Sequence, residues 1–355
     1  MPEQSNGDRL PIEWRRWAAV ALMKGAPLPE VLGTLAAQGF PEGDAIRYTA
    51  SLYDDPALDA GRWLAQQLQK VNSVLTMRET MRALSDVPLD VDRRTGVSQK
   101  EFLDRYYSQN TPVLMTDSCD QWPALSLWNP AYLAGKLGSV EVEVMAGRES
   151  DPDYEINANK HRFMMPFDEF VAKIEGASRS NDTYLVANNK LLATEAALPL
   201  WDDFTLDERY LVPDPQRNQA FLWFGPAGTV TPLHHDVINV LFNQVDGWKH
   251  FILIPSLEVH RVYNNLAVYS AVDPLKPDPE QYPLFAGAQQ IHLDVGPGET
   301  LFIPAGWWHH VEATDASISI SFTNFAFSND IEWKNPDFRA SPDSPAGCSN
   351  AADTA

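Results

Sequence analysis

Two short stretches hold the residue types from which a metal centre is built. In "TPLHHDVINV" (231–240), His234, His235 and Asp236 stand in a row inside an otherwise apolar run. On a β-strand residues i and i+2 share a face, so His234 and Asp236 point one way and His235 the other. An imidazole beside a carboxylate is two-thirds of a 2-His-1-carboxylate set, which leaves open positions on Fe(II). The third ligand must come from another strand, and "GPGETLFIPAGWWHHVEA" supplies His309, 75 positions on (309 − 234). An isolated H-x-D, a short and common tripeptide, is more often an ordinary buried hydrogen-bonded pair. The second histidine-bearing strand favours the metal. His235 and His310, on the opposite faces, read as packing or supporting groups.

A third stretch, "DGWKHFILIP", holds Lys249, the only lysine or arginine between Arg217 and Arg261. A buried ammonium needs a partner. That partner is either an acidic side chain or an anionic ligand, such as the far carboxylate of a 2-oxo acid chelated to the metal. Tyr184 in "DTYLVANN" and Thr231 could add hydroxyl donors to that carboxylate. Asn324 in "SISISFTNF" could hydrogen-bond near the metal end.

The elements that must position these residues are short β-prone runs separated by Gly- and Pro-rich turns. "SVEVEVMAG", "QAFLWFGPAG", "VINVLFNQV", "KHFILIP", "QQIHLDV", "ETLFIPAG" and "SISISFTNFAF" predict an antiparallel sandwich or barrel. Ahead of them, residues 11 to about 85 read as helical, with one long helix from Pro56 to Leu84. Its stripe of Leu64, Leu68, Val71, Leu75, Met77, Met81 and Leu84 reads as core packing, with a docking face as the alternative. Ser98 with Glu101 starts a short helix through "KEFLDRYYSQ". The expected organisation is a helical region over 1–90, a β-domain over 91–330 and a disordered tail over 331–355.

With 355 residues, 44% hydrophobic, the chain can bury a substantial core. A formal charge of −21 argues against a general nucleic-acid binder, which would want a basic face. No apolar run approaches the roughly 20 residues of a membrane span, and the N-terminus lacks a signal-peptide pattern. Two cysteines, Cys119 and Cys348, fit a reducing cytoplasm.

Taken together, "TVTPLHHD…NQVDGWKHFILIP…GPGETLFIPAGWWHHVEA…ISISFTNF" resembles the JmjC/cupin-8 group of Fe(II)- and 2-oxoglutarate-dependent oxygenases, especially its asparaginyl hydroxylases and their bacterial relatives. The resemblance covers residues from about 97 to 327. The intervals from His234 to Lys249 (249 − 234 = 15) and from His309 to Asn324 (324 − 309 = 15) match the group's spacing. It implies a double-stranded β-helix core, with His234, Asp236 and His309 as iron ligands. Lys249, Tyr184 and Thr231 would hold the cosubstrate's C5 carboxylate, and Asn324 would lie near its other end. One position departs: six residues after His234, where the group carries an asparagine, stands Val240, with Asn239 one place earlier.

The activity implied is O2-dependent hydroxylation of a side-chain carbon in a protein or peptide, with succinate and CO2 as co-products. The acidic charge suits a basic partner. Demethylation of N-methyl-lysine or N-methyl-arginine, or hydroxylation of a free amino acid, is the same chemistry on another substrate. A non-catalytic ligand-binding cupin would have lost a metal ligand, and a zinc or manganese isomerase or hydrolase would not need Lys249. Dimerisation, if it occurs, falls to the N-terminal helical region.

Overall fold

The computed structural model describes residues 10–329, so the tail expected over 331–355 lies outside the described residues. The chain divides into two compact units, Met1–Pro88 and Leu89–Ala355. In the first, four helices, α1 (Ile12–Met23), α2 (Leu28–Ala37), α3 (Glu42–Tyr53) and α4 (Pro56–Ala83), follow one another. Ala18, Leu22, Val31, Leu35, Ala45 and Leu58 form their shared core. Only the first turns of α4 reach that core, and Leu58 is its one buried residue. Beyond it Leu64, Leu68, Val71, Val74, Met77, Met81 and Leu84 are each more than half exposed. The stripe expected to pack in a core is therefore a surface: helical periodicity fixes which residues share a face, not whether anything covers it.

The second unit is built on strands β1 (Asp92–Arg94), β2 (Val113–Met115), β3 (Glu141–Met145), β4 (Arg162–Pro166), β5 (Ala220–Gly225), β6 (Val230–His235) and β7 (Val240–Asp246). They continue as β8 (Lys249–Ile254), β9 (Asn264–Leu266), β10 (Tyr269–Ser270), β11 (Ile291–Val295), β12 (Thr300–Ile303), β13 (Trp308–Ala313) and β14 (Ser317–Phe322). One sheet runs β1-β2-β12-β7-β14-β5 and the other β11-β8-β13-β6-β10-β9; β3 pairs with β4 apart from both. From β5 to β8, and again from β11 to β14, consecutive strands alternate between the two six-stranded sheets. That winding is the jelly-roll, double-stranded β-helix architecture.

Strand alternation decides what lies between the sheets. In β14, Ile318, Ile320 and Phe322 join an outer cluster with Leu222 and Phe224, covered by Leu133 and Leu137 of helix Pro130–Leu137 and by Phe167 and Phe170 of helix Phe167–Gly176. Its serines face the opposite way, where Trp223 Nε1 donates to Ser321 and Ser319 donates to Gln244. Phe242, Phe251, Leu253, Leu301 and Ile303, drawn from both sheets, fill the interior. Ser98 caps its helix as expected, accepting from the Glu101 amide. The helix stops at Glu101, and Phe102–Tyr107 continues as a π-helical turn. Among the described residues no helix is long and apolar enough to cross a membrane.

Candidate metal centre

His234 near the end of β6 and His309 on β13 are directly paired across the ladder. Their rings stand 4.1 Å apart between centroids. Asp236 follows β6 in the loop, its backbone carbonyl accepting from the Gly306 amide, which places its carboxylate 3.6 Å from His309 Nε2. Ligand atoms of all three residues lie within 4.8 Å of one another.

Both imidazoles are oriented by the carbonyl two residues upstream. His234 Nδ1 donates to Pro232 at 2.8 Å and His309 Nδ1 donates to Trp307 at 3.0 Å. A carbonyl can only accept, so each ring carries a proton on Nδ1 and turns Nε2 inward, as metal-bound histidines do. Burial, reinforced by neighbouring His234, holds the His309 pKa well below the usual imidazole value, so that ring is neutral. Two imidazoles and a carboxylate, with ligand atoms converging within 4.8 Å, are the donor set for a divalent metal with open positions. The residues present fit iron.

Thr231 lies three residues before His234, a spacing that on a regular strand would put the two on opposite faces. The ladder is irregular there: His309 pairs with His234, but Val311, two residues on, pairs with Thr231, three residues back. The extra residue is a bulge around Pro232, which has no N–H to give the ladder. The bulge turns Thr231 inward, within hydrogen-bonding reach of the Tyr184 hydroxyl.

Lys249 opens β8, four residues from Leu253, the β8 partner of His309. The two positions share the inner face about 13 Å apart along the strand. Lys249 is 2% exposed. Its Nζ donates to the Tyr184 hydroxyl at 3.1 Å and sits over the rings of Phe242, Tyr184 and Trp223 at 5.2, 5.6 and 5.9 Å. Among the described residues no carboxylate pairs with it, so the alternative of a structural salt bridge is not what the fold contains. Burial alone pushes its pKa down to about 7. Gly225 makes room for the tyrosine: a Cβ there would meet the Tyr184 ring at 2.7 Å.

Two expected residues stand elsewhere. Asn324 lies past the end of β14, an odd number of residues from Ser321, and its Nδ2 donates to the Val212 carbonyl. It makes no hydrogen bond to the group around Lys249, and its expected place near the metal end is not where the structure holds it. Asn239 does not replace the asparagine missing at Val240. Its Nδ2 donates to Asn329 and its Oδ1 accepts from the Ala305 amide, so its amide clasps two loops. His235 packs edge-on against Trp308 on the outer face, and His310 is buried there with its pKa pushed down to about 4 by burial.

Sequence reasoning missed Arg148, which is fully buried beside the site. Its Nη2 donates to Glu155 and to the Val230 carbonyl, the guanidinium lies 4.2 Å from the Tyr154 ring, and Tyr184 is 5.2 Å away. It ties "MAGRES" to the start of β6, next to Thr231. A lone arginine after a glycine carries no local signal of that burial. Trp223, inward on β5, could have been found from the alternation in "QAFLWFG".

Residues 98–329 match the family model described as a cupin-like domain. The chain belongs to that family. Lysine-specific demethylase JMJ30 of Arabidopsis thaliana is 33% identical over 249 residues, covering 68% of this chain and 56% of the relative. Lysine-specific demethylase 8 of Xenopus tropicalis is 30% identical, covering 63% and 50%. The human bifunctional peptidase and (3S)-lysyl hydroxylase JMJD7 is 27% identical, covering 60% and 77%. The chain thus spans little more than half the length of the first two.

Proposed function

We propose that this chain is an Fe(II)- and 2-oxoglutarate-dependent oxygenase that hydroxylates a side-chain carbon of a protein or peptide. The observation that carries the reading is Lys249: a buried ammonium with no carboxylate partner among the described residues, on the same inner face as a complete His-Asp-His set. His234, Asp236 and His309 would hold the iron. Bound there with 2-oxoglutarate, it supplies the O2-dependent chemistry that gives succinate, CO2 and a hydroxylated carbon. Lys249, Tyr184 and Thr231 bind the distal carboxylate, and Phe242, Phe251, Leu253 and Ile303 keep water from it. Protein-modifying relatives support a protein substrate, and the charge of −21 favours a basic one by electrostatic steering.

Relatives named as lysine demethylases also support N-methyl-lysine as substrate. Mass spectrometry of cellular proteins from a knockout against its parent separates the two. A +16 shift present only in the parent supports hydroxylation; a −14 shift with formaldehyde release supports demethylation; no enzyme-dependent shift in any protein removes the protein substrate. At the level of the site, Tyr184→Phe deletes one hydroxyl worth about 1 kcal/mol. It should weaken 2-oxoglutarate about fivefold while leaving iron content unchanged, measured by titration of the iron-loaded protein.

The exposed stripe of α4 supports self-association. Leu64, Leu68, Val71 and Leu75 are spaced four, three and four, the alternation of a two-helix seam, and Val74, Met77, Met81 and Leu84 repeat that spacing about 130° round the helix. The occupant is a second copy of α4. A Leu68→Asp/Met77→Asp double variant should run as a monomer by light scattering where the parent runs as a dimer; a parent that is monomeric at tens of micromolar rules the seam out.

A further inference from the structure

The outer face of the second sheet carries a histidine cluster that the metal centre does not use. His250 follows Lys249 on β8, so it faces outward where the lysine faces inward. It lies across from Asp294 on β11, and its Nδ1 donates to that carboxylate at 2.7 Å. His250 Nε2 then accepts from His292 Nδ1 at 3.2 Å, a proton that an ion between the two nitrogens would replace.

We infer that His250 and His292 form a second metal site, for a divalent transition ion that favours imidazole, such as zinc, with Asp294 fixing the His250 ring. Two nitrogens bound to one ion at about 2.0–2.1 Å stand about 3.0 Å apart at a right angle and about 3.4 Å at the tetrahedral angle. The observed separation lies between these limits. A proton on Nδ1, held by a carboxylate, is the arrangement that presents Nε2 to a metal. His292 and Asp294 are exposed, so the ion can arrive from solvent and complete its shell with water. Desolvation lowers the His292 pKa, which favours its ligating form. Glu312, beside His250 on β13, is already engaged by Arg179. A bound ion would pin β8 to β11 on the face opposite Lys249.

Equilibrium dialysis of the tag-free full-length chain against zinc tests the site. His292→Ala should bind one ion per chain fewer than the parent. Asp294→Asn should keep that ion but hold it 10- to 100-fold more weakly, the usual cost of losing such a supporting carboxylate. Equal stoichiometry in the parent and His292→Ala overturns the site and leaves the two histidines as a cross-strand hydrogen bond. His234→Ala is the independent control: if the main centre holds no metal, its stoichiometry equals the parent's while the loss in His292→Ala persists.

Discussion

Lys249→Met is expected to stabilise the ligand-free protein and, in the same molecule, to remove its response to 2-oxoglutarate. Holding the buried ammonium costs stability because its pKa falls from 10.5 to about 7 on folding. At 1.36 kcal/mol per unit this is roughly 4 kcal/mol near neutral pH, which an apolar side chain of similar length does not incur. The sign follows from proton binding. Between about pH 7 and 10.5 the unfolded chain carries the lysine proton and the folded chain does not, so ligand-free stability should rise with pH across that window. The variant should lack this contribution. With cosubstrate the preference reverses, since the distal carboxylate wants the charged form. Losing a charge-assisted pair of about 1.5–3 kcal/mol weakens 2-oxoglutarate by about 10- to 150-fold. Thermal melts at pH 7 and 9, with and without 2-oxoglutarate, read both effects. An unchanged ligand-induced shift in Lys249→Met would falsify the anchoring role.

His234→Ala should abolish both iron binding and turnover without unfolding the chain. The ring sits in a ladder pair whose backbone hydrogen bonds survive the substitution, and the cavity it leaves opens onto the metal position, not the packed core. What remains is one histidine and one carboxylate, too few to hold Fe(II) against dilution. Metal analysis after anaerobic loading and desalting, beside uncoupled succinate formation in air, measures the two losses. The parent should also show the weak visible charge-transfer band of an Fe(II)–2-oxo acid chelate, and the variant should not. Retention of stoichiometric iron by His234→Ala would place the centre elsewhere.

How far the site could be read from sequence depended on whether each residue's signal was local. His234 and Asp236 were legible because i and i+2 share a face of any regular strand. Lys249 was legible because one cation in a long apolar stretch has few explanations. Thr231 was suggested by its type and by the family resemblance; strict alternation argued against it, and the bulge at Pro232 puts it on the inner face. Asn324 was assigned from its place on the last strand and its interval to His309, but that strand ends at Phe322 and the Asn324 amide is spent on the Val212 carbonyl. Arg148 gave no signal, because its burial comes from Glu155, Tyr154 and the Val230 carbonyl meeting in three dimensions. In the fold, the β-runs and their turns were visible as pattern, whereas their division into two sheets depends on pairings between distant residues. The α4 stripe shows the limit most plainly: a period of 3.6 marks a face and says nothing about its occupant.

The bulge at Pro232 also acts as a phase shift between two binding subsites on one strand. Its frame sets which face Thr231 takes, and the same proline carbonyl fixes the tautomer of His234. Cosubstrate anchoring and metal ligation are therefore locked to a single backbone irregularity and cannot drift apart gradually. Flattening the bulge without changing the chain length would send Thr231 outward whenever His234 stayed inward, whereas deleting one residue between them would leave the two at i and i+2, on one face without any bulge. A one-residue insertion beside the retained bulge would put the two on opposite faces, an all-or-none effect, whereas side-chain substitutions on the same strand can be graded.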